Sequence, residues 1–277
     1  MARYLRSTFD PSATAALPRI GRSTAANSGL AATVAGICIA YWLVAIGFVL
    51  CCINPTTWLL STLTDASESS PYTSAQLTEL AQQTRAYTVE GESADALYAA
   101  IGAQAKTLTD AQITAITGKS TALSGLDDAA AGRTLAASSE RLSLTADAMT
   151  HLDQVHQVIL GAFAVLLVTI AVGIPSIIYL LKRSRRSLAR SLMGAGGAVL
   201  ALFAVAGIWA ASDFDTLFAF LHSLLFAPGT WTFSADSLLI CMYPEQFWTA
   251  MGIVWGVVTV AASLVALSIG SRTKRNA

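Results

Sequence analysis

Charge is what this chain has least of. Only 12% of its 277 residues are Asp, Glu, Lys or Arg, where a soluble domain carries about 25%. Four runs have no Asp, Glu, Lys, Arg or His at all: 29–53, 157–181, 191–212 and 249–271. Each exceeds the ~20 residues a helix needs to cross ~30 Å of hydrocarbon. This excludes a soluble enzyme and predicts an all-α integral membrane protein of four transmembrane helices. Metal-ligand spacings are also missing: no H-E-x-x-H occurs, and only the residue types of His151, His222 and Asp153 or Glu245 would suit zinc. No metal and no cofactor are expected. The first run is too long for the core of a signal peptide, and nothing like A-x-A follows it. Cys51 follows F-V-L rather than small residues, so the chain is not itself a lipoprotein. Cys51, Cys52 and Cys241 are expected on the oxidising side, where a bridge to Cys241 and simple apolar filling are both open. Cys38 lies within a span and reads as packing.

The few charges are strongly sorted. Of 17 Lys and Arg, 12 fall in the N-terminal segment, the 182–190 connection and the 272–277 tail, while 16 of 17 acidic residues fall elsewhere. The positive side is the cytoplasmic one. Hence a disordered cytoplasmic lead (1–28), a first span (29–53), an extracellular cap (54–156) and a second span (157–181) are expected. A basic cytoplasmic loop (182–190) and a third span (191–212) follow. Then come a second outer segment (213–248), a fourth span (249–271) and a cytoplasmic tail (272–277). Both termini are inside.

Within the cap, apolar residues recur at helical spacing: Leu77, Leu80, Ala81 and Tyr87 after an N-cap at Ser74, then Leu97, Tyr98 and Ile101 after Ser93. Short helices are expected, then a loop around 118–132 and a helix from about Thr134 into the second span. Pro175 is expected to kink that span. Gly194, Gly196, Gly197, Gly252 and Gly256 are expected at close helix contacts.

The most informative segment is FDTLFAFLHSLLFAPGTWTFSADSLLICMYPEQFW, residues 214–248. Phe218, His222 and Phe226 follow i, i+4, i+8 spacing, which sets an imidazole between two rings on one helical face. Imidazole moves protons near pH 7, and keeping one beside a membrane is costly. His151 lies at a matching depth just before the second run. His156, about 140° further round a helix, is expected to be an interfacial, solvated residue. The aromatics alone would also suit an interfacial belt.

The same segment resembles the signature of a bacterial integral membrane family that includes the lipoprotein intramolecular transacylases. The matching positions are His222, Phe226, Gly229, Trp231, Phe233, Asp236, Leu239, Ile240, Pro244, Glu245, Phe247 and Trp248. A second motif, His-aliphatic-x-Asp-Val, is approximated by His151, Leu152, Asp153 and Val155, with Gln154 in the family's Asp place. Leu221 replaces the phenylalanine before the histidine. A looser match is Ser74, Leu77 and Tyr87. The stretch around 104–140 falls outside the resemblance and reads as an enlargement of the cap.

The resemblance implies a membrane enzyme of the bacterial plasma membrane with His222 and His151 as catalytic residues. Phe218, Phe226, Trp231, Phe233, Asp236, Glu245, Phe247 and Trp248 are then the candidate substrate-binding residues. It implies a diacylglyceryl-cysteine lipoprotein as partner and transfer of the sn-2 acyl chain to the cysteine α-amino group. The alternatives are a membrane sensor or binding protein using the cap, and another lipid acyl-transfer or hydrolase activity.

Overall fold

The computed structural model describes residues 21–64 and 66–276. The expected lead lies outside these residues up to position 20. From Gly21 the backbone is already helical, because extending an existing helix adds one hydrogen bond per residue fixed. Every regular element among the described residues is helical.

In chain order, α1 (Gly21–Cys52) is the first long apolar helix. Helix α2 (Asn54–Leu63) starts with Pro55 in its first turn, and α3 (Ser74–Arg85) is capped by Thr73 in a reciprocal box with Gln76. The cap is one residue earlier than expected, because Thr73 sits three residues before a Gln that can reach back. A π-helical turn (Ala86–Glu90) follows and ends in a left-handed Gly91, φ 77°. Next come α4 (Ala94–Ala105), capped by Ser93 as expected, α5 (Asp110–Thr117) and α6 (Asp128–Ala136). Helix α7 (Ala146–Arg183) and α8 (Arg185–Ser212) are the second and third spans. After the short α9 (Phe214–Leu225) and α10 (Leu238–Met242), α11 (Glu245–Arg275) is the fourth. With four such helices the chain is an integral membrane protein.

Two boundaries in the cap differ from expectation. Residues 128–132 belong to α6 instead of a loop, and α7 begins at Ala146 under its own cap, Thr145. Gly102 on α4 and Gly132 on α6 explain this: a Cβ on either would overlap the backbone of the other helix. The glycines let α6 cross α4 closely, so the chain must turn back through residues 137–145. Leu142 and Leu144 fill the core on the way, both with under 2% of their surface exposed.

The cap has one hydrophobic core, and the stretch between the third and fourth spans contributes to it. Leu80, Leu97, Ile101, Ile113 and Leu135 pack with Leu238, Leu239, Cys241 and Met242 from α10. Tyr72 donates to the Leu142 carbonyl at 2.7 Å and Tyr243 to the Ala81 carbonyl at 2.6 Å. A cation joins cap to membrane. Buried Arg85 donates to the Cys52 carbonyl at the end of α1, 3.1 Å away, and pairs with Glu90 across the π turn at 2.6 Å. A positive charge at a helix C-terminus is electrostatically favoured.

Glycines do bring the spans together, but a different set. A Cβ on Gly47 would fall 2.5 Å from Trp255, on Gly173 2.7 Å from Cys38 and Trp42, and on Gly270 2.8 Å from Met193. Of the expected five, only Gly196 makes such an approach, 3.0 Å from the Ser263 carbonyl; the others face open space. Small-residue content does not reveal the phase of each helix against its neighbour. Helix α7 runs through Pro175 as one element. All four cysteines are unpaired, Cys241 being buried in the cap core.

The charge sorting generates a prediction about orientation, namely that the cap is extracellular and the 182–190 connection cytoplasmic. In a cysteine-free background, a cysteine at Ser120, exposed in the cap, should react with an impermeant reagent on intact cells. One at Arg186, also exposed, should react only after permeabilisation. Ser187 is buried and unsuitable. Labelling at Arg186 in intact cells would reverse the topology.

Candidate active site

Length positions the first histidine. Helix α7 has 38 residues, about 57 Å at 1.5 Å per residue, against ~30 Å of hydrocarbon. With its basic end, Lys182 and Arg183, at one boundary, counting back leaves roughly its first five turns clear of the hydrocarbon. His151 lies there, 8% exposed. The second histidine comes from α9, which has 12 residues and at about 18 Å is too short to span. Phe220, Leu221, Leu224 and Leu225 of α9 are exposed while Leu217 is buried. An amphipathic helix with an uncovered apolar face suits the lipid interface. Leu221 is thus on the outer face, which explains why the residue before His222 can vary.

The two imidazoles meet with ring centroids 6.3 Å apart. Phe218 stacks on His222 at 3.9 Å, and Trp231 lies 5.1 Å from it. Phe226 touches both histidines, 4.8 Å from His151 and 5.5 Å from His222, and Phe233 closes on His151 at 5.8 Å. Phe226 does so from outside the helix. Helix α9 stops at Leu225 and Phe226 is extended, φ −130°, ψ 150°, since Pro228 two residues on disfavours further helix. The turn continues through Gly229 at φ 82°, a conformation costly for any other residue. Thr230 donates to the Ala227 carbonyl at 2.9 Å and toward Gln154 of α7 at 3.4 Å.

Burial disfavours the charged form of both histidines. Burial pushes the His151 imidazole down to about 4, helped by His222 nearby. Burial also lowers His222, partly offset by its bond to the Phe218 carbonyl. That bond, 3.0 Å from Nδ1, fixes the tautomer: a carbonyl only accepts, so Nδ1 carries the hydrogen and Nε2 keeps a free lone pair. Two nitrogens in this cluster are buried with no hydrogen-bond partner, His151 Nδ1 and Trp231 Nε1. Such unpaired atoms cost about 1–3 kcal/mol each.

The other candidates separate. Trp248 touches Phe218 at 5.8 Å and continues the wall. Phe247 is 1% exposed and packs on Tyr243, as a core residue. Asp236 pairs with Arg141 at 3.2 Å and Glu245 is exposed at the start of α11. Neither joins the histidine cluster. Asp153 accepts a hydrogen bond from Tyr87 of the π turn. No group of three His, Cys, Asp or Glu able to hold a metal occurs among the described residues, so the ligand set His151, His222 and Asp153 or Glu245 does not converge.

His156 is not a solvated residue. It is half-buried, and its Nδ1 donates to the Thr88 carbonyl at 2.8 Å. With Tyr87 and Asp153 this makes two bonds between the π turn and the stretch of α7 that follows His151. The sequence offered little sign of this joint, because a π turn has no residue signature. A hollow of about 450 Å³ is lined by Phe233 together with Glu140, Thr145, Asp147 and Gly229 among others. It contains neither histidine.

Together the fold and the cluster define a polytopic membrane protein in which two imidazoles meet among aromatic rings. The pattern of the lipoprotein intramolecular transacylase Lit family matches residues 107–248, just over half of the chain and inclusive of both histidines. The chain belongs to that family and is an acyltransferase. The match begins at residue 107, so nearly all of the 104–140 stretch lies within the family's extent instead of outside it. Its burial in the cap core agrees. Among solved structures the chain is similar to the membrane-integral lipoprotein intramolecular transacylase Lit of Bacillus cereus. The TM-score is 0.62 at 15% identity, covering 90% of this chain and 96% of that one. A variant of that protein with a histidine changed to arginine matches with TM-score 0.59 at 15% identity, covering 92% of this chain and 95% of that one. No curated protein sequence matches the chain.

Replacing His222 or His151 by Ala should each lower acyl transfer by about 10²–10⁴-fold, the usual loss of a positioned acid–base, with folded protein retained. His156→Ala loses one hydrogen bond, worth about 1 kcal/mol, and should keep most activity with a slightly lower Tm. Inactive His156→Ala beside active His151→Ala would reverse the assignment. Because His151 binds its proton more weakly folded than unfolded, its contribution to stability should be complete above about pH 6.5. It should diminish as pH falls from there toward about 4. His151→Phe should flatten that limb of the unfolding curve.

Proposed function

We propose that this acyltransferase moves the sn-2 O-acyl chain of a diacylglyceryl-cysteine lipoprotein onto the α-amino group of the same cysteine. The product is a lyso-form lipoprotein with one O-linked and one N-linked chain. The observation that carries the assignment is the His151–His222 pair, held neutral inside an aromatic wall at the lipid boundary.

The chemistry is balanced without a further reactant. The amine nitrogen attacks the ester carbon, a C–N bond forms and the carbonyl electrons move to oxygen. The tetrahedral intermediate then expels the sn-2 oxygen, and the amine proton ends on it. The closure is an eight-membered ring of N, Cα, Cβ, S, two glyceryl carbons, ester oxygen and acyl carbon. Such a closure is entropically poor in a flexible lipid, so holding the folded conformer is a large part of catalysis. Phe218, Phe226, Trp231, Phe233 and Trp248 offer apolar faces for that purpose.

His222 is the principal base: its Nδ1–H is committed to the Phe218 carbonyl, leaving Nε2 to take the amine proton. His151, its ring 6.3 Å from that of His222 and sharing Phe226 with it, guides the proton to the leaving oxygen. One proton crosses from nitrogen to oxygen, so two neutral imidazoles suffice.

Expression in a host that makes diacylglyceryl lipoproteins should convert them to the N-acyl lyso form, read by mass spectrometry of lipoprotein N-termini. The acyl count should stay at two. A phospholipid pool labelled after diacylglyceryl attachment should leave no label in the amide; label there would mean an intermolecular donor. Unchanged lipoproteins beside folded protein would favour the sensor reading. In vitro, kcat/KM should rise with pH toward the amine pKa of roughly 8. Any inflection from the histidines should fall below 6.5, because burial lowers both imidazoles.

A further inference from the structure

The reaction needs one more group. When nitrogen attacks the ester, negative charge develops on the carbonyl oxygen, and a preorganised donor aimed at that charge is commonly the largest catalytic contribution. His222 is not free for it: Nδ1–H is bound to the Phe218 carbonyl and Nε2 must accept the amine proton at the same moment. His151, whose Nδ1 has no hydrogen-bond partner, is assigned to the leaving oxygen. Arg141 pairs with Asp236, and Arg85 pairs with Glu90 and donates to the Cys52 carbonyl; neither belongs to the ring cluster around the histidines.

One donor in the ring cluster has nothing to donate to. Trp231 Nε1 is shielded from solvent and has no hydrogen-bond partner, and an indole N–H can only donate. The indole sits 5.1 Å from His222, centroid to centroid. It is held there by backbone geometry: Pro228 and left-handed Gly229 turn the chain, and Thr230 is pinned to the Ala227 carbonyl and Gln154. An aromatic needed only as a wall could be phenylalanine, as it is at 218, 226 and 233. Of the wall's two indoles, Trp231 lies against the His222 ring and Trp248 against Phe218.

We infer that the Trp231 indole N–H donates the hydrogen bond that holds the carbonyl oxygen in the tetrahedral intermediate, which makes Trp231 a catalytic residue as well as part of the wall. The inference rests on the transacylase reading. It gives the unpaired donor its acceptor: the ester oxygen on binding, and the oxyanion more strongly during attack. Because the donor is buried before substrate arrives, it loses no water bond at that moment.

The test removes the N–H and keeps the shape. Trp231→Phe is the simple variant. The decisive one replaces the indole at 231 with its benzothiophene isostere, in which sulfur stands where N–H was. Both are assayed on a synthetic diacylglyceryl-cysteine peptide in lipid bicelles, in parallel with the unmodified protein. The expected result is a 10²–10³-fold fall in kcat with KM changed less than threefold. The Tm of the isostere variant should not fall, since no bond of the free protein is lost. An isostere with wild-type kcat, or one that loses through KM alone, overturns the inference. The unmodified protein reports separately: if it leaves the peptide unconverted, the transacylase reading fails, whatever the variants do.

Discussion

Helix α7 has 38 residues, about 57 Å, in a membrane whose apolar layer takes up ~30 Å. The excess must stand in water or in protein, and it stands at the end that carries His151. Everything above the membrane is built around this projecting stretch. The π turn grips it through Tyr87 and His156, the 226–233 turn closes on it through Thr230 and Phe226, and Ala148, Met149 and Leu152 enter the cap core. Arg85 completes the connection by tying the same π turn to the end of α1. The histidine is thus located by a rigid rod and braced on several sides, the arrangement that positioning within a fraction of an ångström requires.

A neutral imidazole is the form burial favours. Desolvation penalises the charged form, so the environment that makes His151 and His222 expensive to protonate also keeps their lone pairs available. A soluble enzyme tunes histidine toward pH 7 because its proton must often come from water. An intramolecular transfer has no such need: the proton leaves the amine and is returned to the glyceryl oxygen. Weakly basic imidazoles fit a relay that only hands a proton on.

Much of this was legible in the sequence, for physical reasons. Runs without charge give spans, since hydrocarbon admits little else. The i, i+4 spacing of Phe218 and His222 gives their stacking, because neighbours on a helical face must touch. What could not be read depends on phase and on partners distant in sequence. Phe226 continues the i+8 spacing but leaves the helix, and reaches His151 because it does. Glycine content pointed to Gly252 and Gly256, whereas Gly47 and Gly173 make the contacts, because a helix shows its neighbour only one face. Asp236, Glu245 and Phe247 share a motif with Trp231 yet serve cap and helix start. A motif marks what a family retains for folding and for chemistry alike.

The apolar wall has a further consequence for the outcome of the reaction. An ester activated toward an amine is activated toward water too, and hydrolysis would release a fatty acid instead of moving it. Sequestering the reacting atoms from water is one way an enzyme prevents that side reaction. Here the rings around the histidines are Phe218, Phe226, Trp231 and Phe233, with Trp248 against Phe218, so the lining of the cluster offers water few hydrogen-bonding partners.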